Sequence, residues 1–182
     1  MDVLSDMIGP VGFAYALAIA VLAGVVKGVV GFAMPMILIS GLSSLLPPDL
    51  ALAALILPTL VTNGMQALRQ GGRAALASVS RFRVFLLVGL FMLLLSAQLV
   101  SVLPAAAMLA MIGIPVAAFA IVQLLGWQPR PLSAPSLRLE IGIGAFAGFI
   151  GGLSGVWGPP VVAYLTALNT EKQTQMRIQG VI

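Results

Sequence analysis

The chain has 182 residues, of which 60% are hydrophobic and 8% are charged, and its formal net charge is +4 at pH 7. A soluble domain contains about 45–50% apolar and about 25% charged residues, so these charged side chains are too few to cover a soluble fold. Cysteine and histidine do not occur, which excludes disulfides, thiol chemistry and histidine-bound zinc or iron. Charge-free apolar runs at 7–26, 84–127 and 141–170 each exceed the roughly 18 residues that indicate a spanning helix. The composition therefore predicts an all-α, polytopic membrane protein.

Charged residues cluster where they set membrane topology. The first ten residues contain Asp2 and Asp6 but no Lys or Arg, which argues against a cleavable signal peptide, because that needs a positive n-region. Several cations lie in one loop between apolar segments, namely Arg69, Arg73, Arg81 and Arg83. Such clustering is typical of cytoplasmic loops, and it accounts for the positive balance without a nucleic-acid partner.

Apolar segments follow one another along the chain, at residues 10–26, 32–46, 50–68, 84–103, 105–125, 139–151 and 156–168. A helix needs roughly 20 residues to cross the hydrocarbon. The first two and the last two segments are shorter, so each pair forms either a hairpin of short helices deep in the membrane or two tight crossings. We divide the chain into a first membrane repeat at 1–125 (a broken hairpin at 10–46 plus three spanning helices), a cytoplasmic loop at 126–138, and an incomplete second repeat at 139–182.

Two glycine-rich stretches, each followed by proline, interrupt the first and the last pair of segments. Residues of the first stretch have counterparts 124 positions later: Gly24 and Gly148, Gly28 and Gly152, Gly31 and Gly155, and Pro35 and Pro159. Glycine and proline together break a helix, and unwound backbone inside a membrane is tolerated only against protein or a water-filled cavity. Matching breaks in two repeats indicate a transporter's binding site.

The distribution of Lys and Arg predicts the orientation. The Arg69–Arg83 loop should be cytoplasmic, and so should the loop that contains Arg130 and Arg138. The N-terminus, which lacks nearby cations, should lie outside. The first repeat then starts outside and the second starts inside, so the two repeats are predicted to be inverted relative to each other, as in many transporters.

The repeat length also bears on the extent of the chain. Two complete units of this length would exceed the 182 residues present. By the same offset, Ile182 corresponds to Pro58, midway along the third segment. We therefore expect the sequence to be part of a longer chain, whose remainder would complete one helix and add two more.

The glycine-rich stretches also carry a family resemblance. The string GGLSGVWGPP from Gly151 to Pro160, its counterpart at 24–35, and the later Tyr164-Leu165 and Arg177-x-Gln179-Gly180 resemble the TauE/SafE family, the toluene-sulfonate uptake permeases. The resemblance covers nearly the whole chain. It implies an inner-membrane permease with inverted repeats that moves a small sulfur-containing anion, such as sulfite, a sulfonate or sulfoacetate, by secondary or facilitated transport.

Lys27 is the leading candidate for substrate binding. It is the only charged residue between Asp6 and Asp49, and a cation at mid-bilayer costs about 2.5–3.5 kcal/mol on insertion scales. At a glycine break it could bind an anion together with free N–H groups at the start of the next helix. The alternative is that Lys27 ends a short helix and extends to the interface.

The residues of the two glycine-rich stretches have two interpretations each. Their glycines either bring backbone close to a ligand or permit close helix packing. The prolines that follow them favour the first interpretation. The glycines are Gly28, Gly31, Gly152, Gly155 and Gly158, and the prolines are Pro35, Pro159 and Pro160. Ser154 could donate to a sulfonyl oxygen or to a carbonyl one turn back. Trp157 could line the site or belong to the interfacial belt.

On the third segment, Asn63 and Gln66 are three residues apart and therefore share a helix face. Their amides could bind an oxyanion at lower cost than a charge, or they could hydrogen-bond to neighbouring helices. No paired carboxylates face each other inside a segment, so we predict no enzyme activity, catalytic residue, metal or cofactor. The expected partners are a small anionic substrate and the lipid bilayer. A non-transporting membrane scaffold or assembly subunit is the alternative function.

Overall fold

The computed structural model describes residues 2–127, 129–132 and 136–182. Within these ranges the regular structure is entirely helical, which confirms the predicted all-α class. A 3₁₀ turn at Gln98–Ser101 extends α5, and the α-helices in the described ranges are α1 Asp2–Val30, α2 Met34–Leu42, α3 Pro48–Leu68, α4 Gly72–Arg81, α5 Arg83–Ala97, α6 Ala105–Leu124, α7 Leu137–Ser154, α8 Gly158–Ala167 and α9 Lys172–Val181. Parts of the predicted cytoplasmic loop at 126–138 lie outside the described residues.

Five of the described helices are long and apolar enough to cross a membrane, as the composition predicts. They cover Ile8–Val30, Pro48–Leu68, Arg83–Ser101, Ala105–Leu124 and Leu137–Ser154. By contrast, α2 and α8 have 9 and 10 residues, so each is roughly 15 Å long, about half the hydrocarbon thickness. Each predicted pair of short segments is therefore one full-length helix followed by one half-length helix.

The helix boundaries reproduce the repeat that the sequence predicts. Three pairs of boundaries differ by 124 residues: the ends of α1 and α7 at Val30 and Ser154, the starts of α2 and α8 at Met34 and Gly158, and the starts of α3 and α9 at Pro48 and Lys172. The same unit, a long helix, a break, a half-length helix and a third helix, thus occurs twice. The inverted relation of the two units remains a prediction.

The predicted breaks begin too early in both units. Gly24 and Gly28 lie inside α1, and Gly148 and Gly152 lie inside α7. The prediction that Gly24 and Gly148 break their helices is therefore wrong. A glycine costs a helix interior only about 1 kcal/mol relative to alanine, so the helix continues until a second signal ends it.

Two helices lie mostly outside the predicted apolar segments. The Arg69–Arg83 loop contains α4, whose Ala75 and Ser78 are buried, and the polar stretch after Leu168 contains α9. These two helices pack against each other. Both helices are short and contain several charged and polar side chains, so neither stands out as an apolar segment.

The most extensive helix contact joins α5 and α7, and it is made through glycine. A Cβ added to Gly148 would lie 2.1 Å from the carbonyl oxygen of Gly89, and a Cβ added to Gly152 would lie 2.1 Å from Ser96 Oγ. Helices in membranes approach this closely where small residues line the contact. The contact anchors the end of α7, where the second break begins.

Two hydrophobic clusters meet at the second break. The first includes Ile39 of α2, Leu55 of α3 and Val156 of the break. The second joins Phe85 of α5 to α7 and α8, and Trp157 packs against it. Consecutive residues of the break therefore pack into different clusters. Many large apolar side chains on the outer faces of the long helices are exposed, as expected of helices that contact lipid.

Candidate functional site

The first break consists of the residues between α1 and α2. Gly31 has φ 92° and Ala33 has φ 66°, both in the left-handed region that ends a right-handed helix. The N–H of Gly31 donates to the carbonyl of Lys27 at 2.7 Å and closes the last turn of α1. Pro35 follows in the first turn of α2, where proline is tolerated because its missing N–H has no helical partner.

The second break consists of the residues between α7 and α8. Gly155 has φ 70°, and its N–H donates to Gly151 O at 2.8 Å. Ser154 Oγ donates to Ile150 O at 2.7 Å and accepts from the N–H of Val156 at 3.2 Å. The break is therefore completed by groups of its own helix, and two prolines start the next helix, Pro159 and Pro160.

A small cavity of about 30 Å³ lies between the two breaks. Its wall includes Gly31, Phe32 and Ala33 from the first break, and Trp157 and Gly158 from the second. Since a water molecule needs roughly 10–15 Å³ of such space, the cavity could hold two or three waters. Both breaks therefore contribute residues to the wall of one cavity.

Lys27 supplies the charge of this cavity. Its side chain is 6% exposed, and its Nζ donates to Thr62 Oγ1 at 2.8 Å and to Asn63 Oδ1. Pro58 is the middle residue of α3, and Asn63 lies five residues beyond it, which is about 7.5 Å along the helix axis. Lys27 is thus bonded inside the protein and does not extend to the interface.

No carboxylate in the described part of the chain pairs with Lys27. The ion pair found there joins Arg81 to Glu140 at 3.7 Å, on other helices. Both partners of Lys27 are neutral, and an ammonium group carries three donors, so a third N–H and the whole positive charge remain available. A buried cation is normally paired, and this cavity is therefore suited to an anion.

The amide of Gln66 joins the first break to α9. Its Nε2 donates to Gly31 O at 2.8 Å and to Met176 O at 2.5 Å. Those contacts are interhelical hydrogen bonds, which the sequence offers as the alternative to substrate binding. Gln66 therefore supports the wall of the cavity and does not line it, whereas Asn63 does line it.

Gln179 of α9 also lines the cavity, and it is not among the site residues predicted from the sequence. Its side chain is 8% exposed, and its Oε1 is buried without a hydrogen-bond partner among the described residues. A primary amide offers two N–H donors as well as an acceptor. Its place in the Arg177-x-Gln179-Gly180 string is the signal that the sequence offers, but Gln179 reaches the cavity only because α9 packs against α3.

A larger cavity of about 630 Å³ lies next to the first, mostly lined by apolar side chains of α3, α5 and α7. Asn63, Trp157 and Ile182 line both cavities. These three side chains therefore form the partition between them. Trp157 is half-buried at this partition, which favours its predicted role in the wall of the site over a place in the interfacial belt.

Several predicted site residues lie away from the cavity. Gly24 and Gly28 are exposed, and a Cβ on either would contact nothing within 4 Å. Gly148 and Gly152 are packed against α5 and serve close helix contact. The hydroxyl of Ser154 is fully buried and used within its own helix. The prediction that Gly28, Gly152 and Ser154 bind substrate is not supported by these positions.

Broken helices around a buried charge are typical of membrane transporters. The family model described as sulfite exporter TauE/SafE matches residues 16–179 of this chain. The chain therefore belongs to the TauE/SafE family, as the glycine-rich strings suggest, and is an integral membrane protein of a sulfur-anion exporter family. Comparisons with curated proteins and with solved structures gave no match.

Proposed function

We propose that this protein moves a sulfite-sized oxyanion across the inner membrane through the cavity between its two helix breaks. The observation that carries the proposal is Lys27, a buried cation with neutral partners in the wall of that cavity. Its burial has a cost of about 2.5–3.5 kcal/mol on insertion scales, and an anion beside it would offset that cost.

Three kinds of donor would surround the anion. Lys27 contributes an N–H that its two protein partners leave free, and Gln179 contributes its amide after a rotation that presents Nε2. The N-termini of α2 and α8 border the cavity through Pro35 and Gly158. The positive end of a helix dipole favours an anion there, although the prolines of both helices reduce the number of backbone donors.

The volume of the cavity favours the smallest substrate of the class. A cavity of about 30 Å³, which could hold two or three waters, is close in size to an anion of a few heavy atoms such as sulfite. A larger organosulfonate would require displacement of the partition formed by Asn63, Trp157 and Ile182. We therefore place sulfite ahead of sulfonates and sulfoacetate.

Transport would be driven by the gradient of the anion and by the membrane potential. A charge of −1 that leaves a cell with a negative interior gains about 2.3 kcal/mol per 100 mV. The predicted orientation, with the N-terminus outside and the Arg69–Arg83 region in the cytoplasm, belongs to this proposal. So does the inverted relation of the two repeats, which would expose the cavity to either side in turn.

The test measures uptake of radiolabelled sulfite into proteoliposomes that contain the protein. Lys27→Gln keeps a polar side chain, one atom shorter, but removes the charge, and we expect flux to fall by about tenfold or more, since a charge-assisted contact contributes roughly 1.5–3 kcal/mol. Gln179→Leu should also lower flux. Arg73→Gln is the matched control, because Arg73 is exposed on α4 and its replacement changes the net charge by the same amount.

Equal flux by wild-type and Lys27→Gln protein would overturn the assignment of the site. No flux of sulfite above that of empty vesicles, with the protein folded, would overturn the transport proposal and favour the scaffold alternative. Unlabelled sulfoacetate and acetate, added as competitors, test the substrate class. We expect sulfoacetate to compete only at higher concentration than unlabelled sulfite, and we expect acetate not to compete.

A further inference from the structure

A second polar cavity lies at one end of the helix bundle, away from the two breaks. It measures about 410 Å³ and lies between α4, α9 and the segments beside them. The polar side chains in its wall are Ser78, Arg81, Thr170, Thr174 and Arg177. It shares no lining residue with the central cavity among the described residues.

Two arginines in this wall have contacts with other side chains. Arg177 Nε donates to Ser78 Oγ at 3.0 Å, and its Nη1 donates to Gln70 Oε1. The guanidinium carbon of Arg81 lies 5.4 Å from the centre of the Phe82 ring, over its face, an arrangement that stabilises a cation. Arg177 is therefore oriented by two hydrogen bonds before any ligand arrives, which reduces the entropic cost of binding, whereas the half-exposed Arg81 can adjust to the ligand.

The charge in this cavity is not balanced by its wall. Among the described residues that line it, none is an Asp or a Glu. Glu140 lies 3.7 Å from Arg81 and accepts a hydrogen bond from Tyr164 at 3.3 Å, so it pairs with one of the two arginines. Arg177 has only neutral partners among the described residues, and one positive charge is left over.

We propose that this cavity is an oxyanion-binding site at the membrane surface. Arginine forks bind the oxygens of sulfur and phosphorus oxyanions in pairs, and the hydroxyls of Thr170 and Thr174 supply further donors. The ligand is a sulfur oxyanion in solution or the phosphate of an anionic lipid headgroup, which share this chemistry. Such headgroups bind in basic pockets between membrane helices.

Helix α9 connects this surface site to the central cavity. Arg177 and Ile178 line the surface site, whereas Gln179 and Ile182 line the central cavity. A ligand held at Arg177 would therefore be separated from the central cavity by the thickness of one short helix. A role of the surface site in collecting anions for transport rests on the proposed function. The binding of an oxyanion at the surface site does not rest on it.

The test measures equilibrium binding of radiolabelled sulfite to the protein in detergent without anionic lipid. We expect two sites per wild-type chain, and we expect Arg81→Gln and, independently, Thr174→Val to weaken one of them about tenfold. Lys27→Gln should remove the other site only. Arg73→Gln, which removes an exposed charge of α4 outside this cavity, should keep both sites.

A second arm distinguishes the two sources of the oxyanion. The same measurement is made in nanodiscs of phosphatidylcholine and in nanodiscs with added phosphatidylglycerol. Loss of only the surface site in phosphatidylglycerol identifies the headgroup as its ligand, and retention identifies a dissolved anion. The proposal is overturned if Arg81→Gln and Thr174→Val, both with wild-type thermal unfolding, bind sulfite at two sites as tightly as the wild type does. A single site that is lost in Arg81→Gln but not in Lys27→Gln would instead count against the central transport site alone.

Discussion

The two helix breaks have matching boundaries but are supported differently. At the first break, the carbonyl of Gly31 is bonded by Gln66, a side chain from another helix. At the second, Ser154 bonds Ile150 and Val156 of its own segment. The first break thus depends on how α3 and α9 are placed, whereas the second holds its shape by itself.

The helices that precede the two breaks also differ in how closely they pack against other helices. Gly148 touches the backbone of Gly89 on α5, whereas its counterpart Gly24 faces open space. The charge is also confined to one unit, because Lys27 has Gly151 as its counterpart. We therefore expect the second unit to be the more rigid of the two, whereas the first unit provides the charge that would bind the substrate.

The largest expected effect comes from the same substitution at two matched glycines, Gly148 and Gly24. In Gly148→Ala the new Cβ would lie 2.1 Å from the carbonyl oxygen of Gly89, so α5 and α7 must separate. We expect a loss of about 3 kcal/mol, at the upper end of overpacking costs. In Gly24→Ala the Cβ meets nothing within 4 Å, and we expect unchanged or higher stability. Thermal unfolding of both variants in detergent measures the difference, and equal midpoints would contradict it.

These glycines also show what the sequence can predict of the fold. The offset of 124 residues and the all-α class could be predicted because glycine, proline and apolar runs are local signals. The point at which α7 ends could not, because Gly148 and Gly152 serve a contact with α5. A glycine that breaks a helix and a glycine that packs against another helix look alike until the partner is known.

The site shows the same limit at the level of side chains. Lys27 and Asn63 could be predicted, since a lone cation in an apolar segment and a polar face on a helix are visible in one segment each. Gln179 could not be predicted, because it reaches the cavity only when α9 packs against α3. That contact runs through Gly180, where an added Cβ would lie 2.6 Å from the backbone N of Ala67.

The next largest effect tests whether the first break depends on α3. Gln66→Leu removes the donor to Gly31 O and Met176 O, and we expect a loss of about 2 kcal/mol because buried carbonyls remain unpaired. Sulfite flux in proteoliposomes should fall as well, since the cavity wall loses its support. Gln98→Leu is the control, because Gln98 is exposed and bonds only Leu94 O of its own helix. Equal losses in both variants would argue against a special role for Gln66.

A smaller effect is expected at the second break. Ser154→Ala removes the acceptor for the Val156 N–H, a loss comparable to that of a helix cap, about 1 kcal/mol. Flux of sulfite in the folded protein should remain near that of the wild type, because the hydroxyl is fully buried and does not line the cavity. A selective loss of flux, with little change in the unfolding midpoint, would show that Ser154 acts on the substrate after all.

The smallest effect has the opposite sign and again separates the two breaks. Ala33 has φ 66°, whereas its counterpart Trp157 has φ −100°. A non-glycine residue in the left-handed region is strained by roughly 1–2 kcal/mol, and glycine is not, but glycine loses more entropy on folding. Ala33→Gly should therefore stabilise the protein by about 1 kcal/mol or less. Because the first break is held in this strained form by contacts with α3, a lower unfolding midpoint in Ala33→Gly would mean that the Ala33 methyl group contributes more through packing than its backbone strain costs.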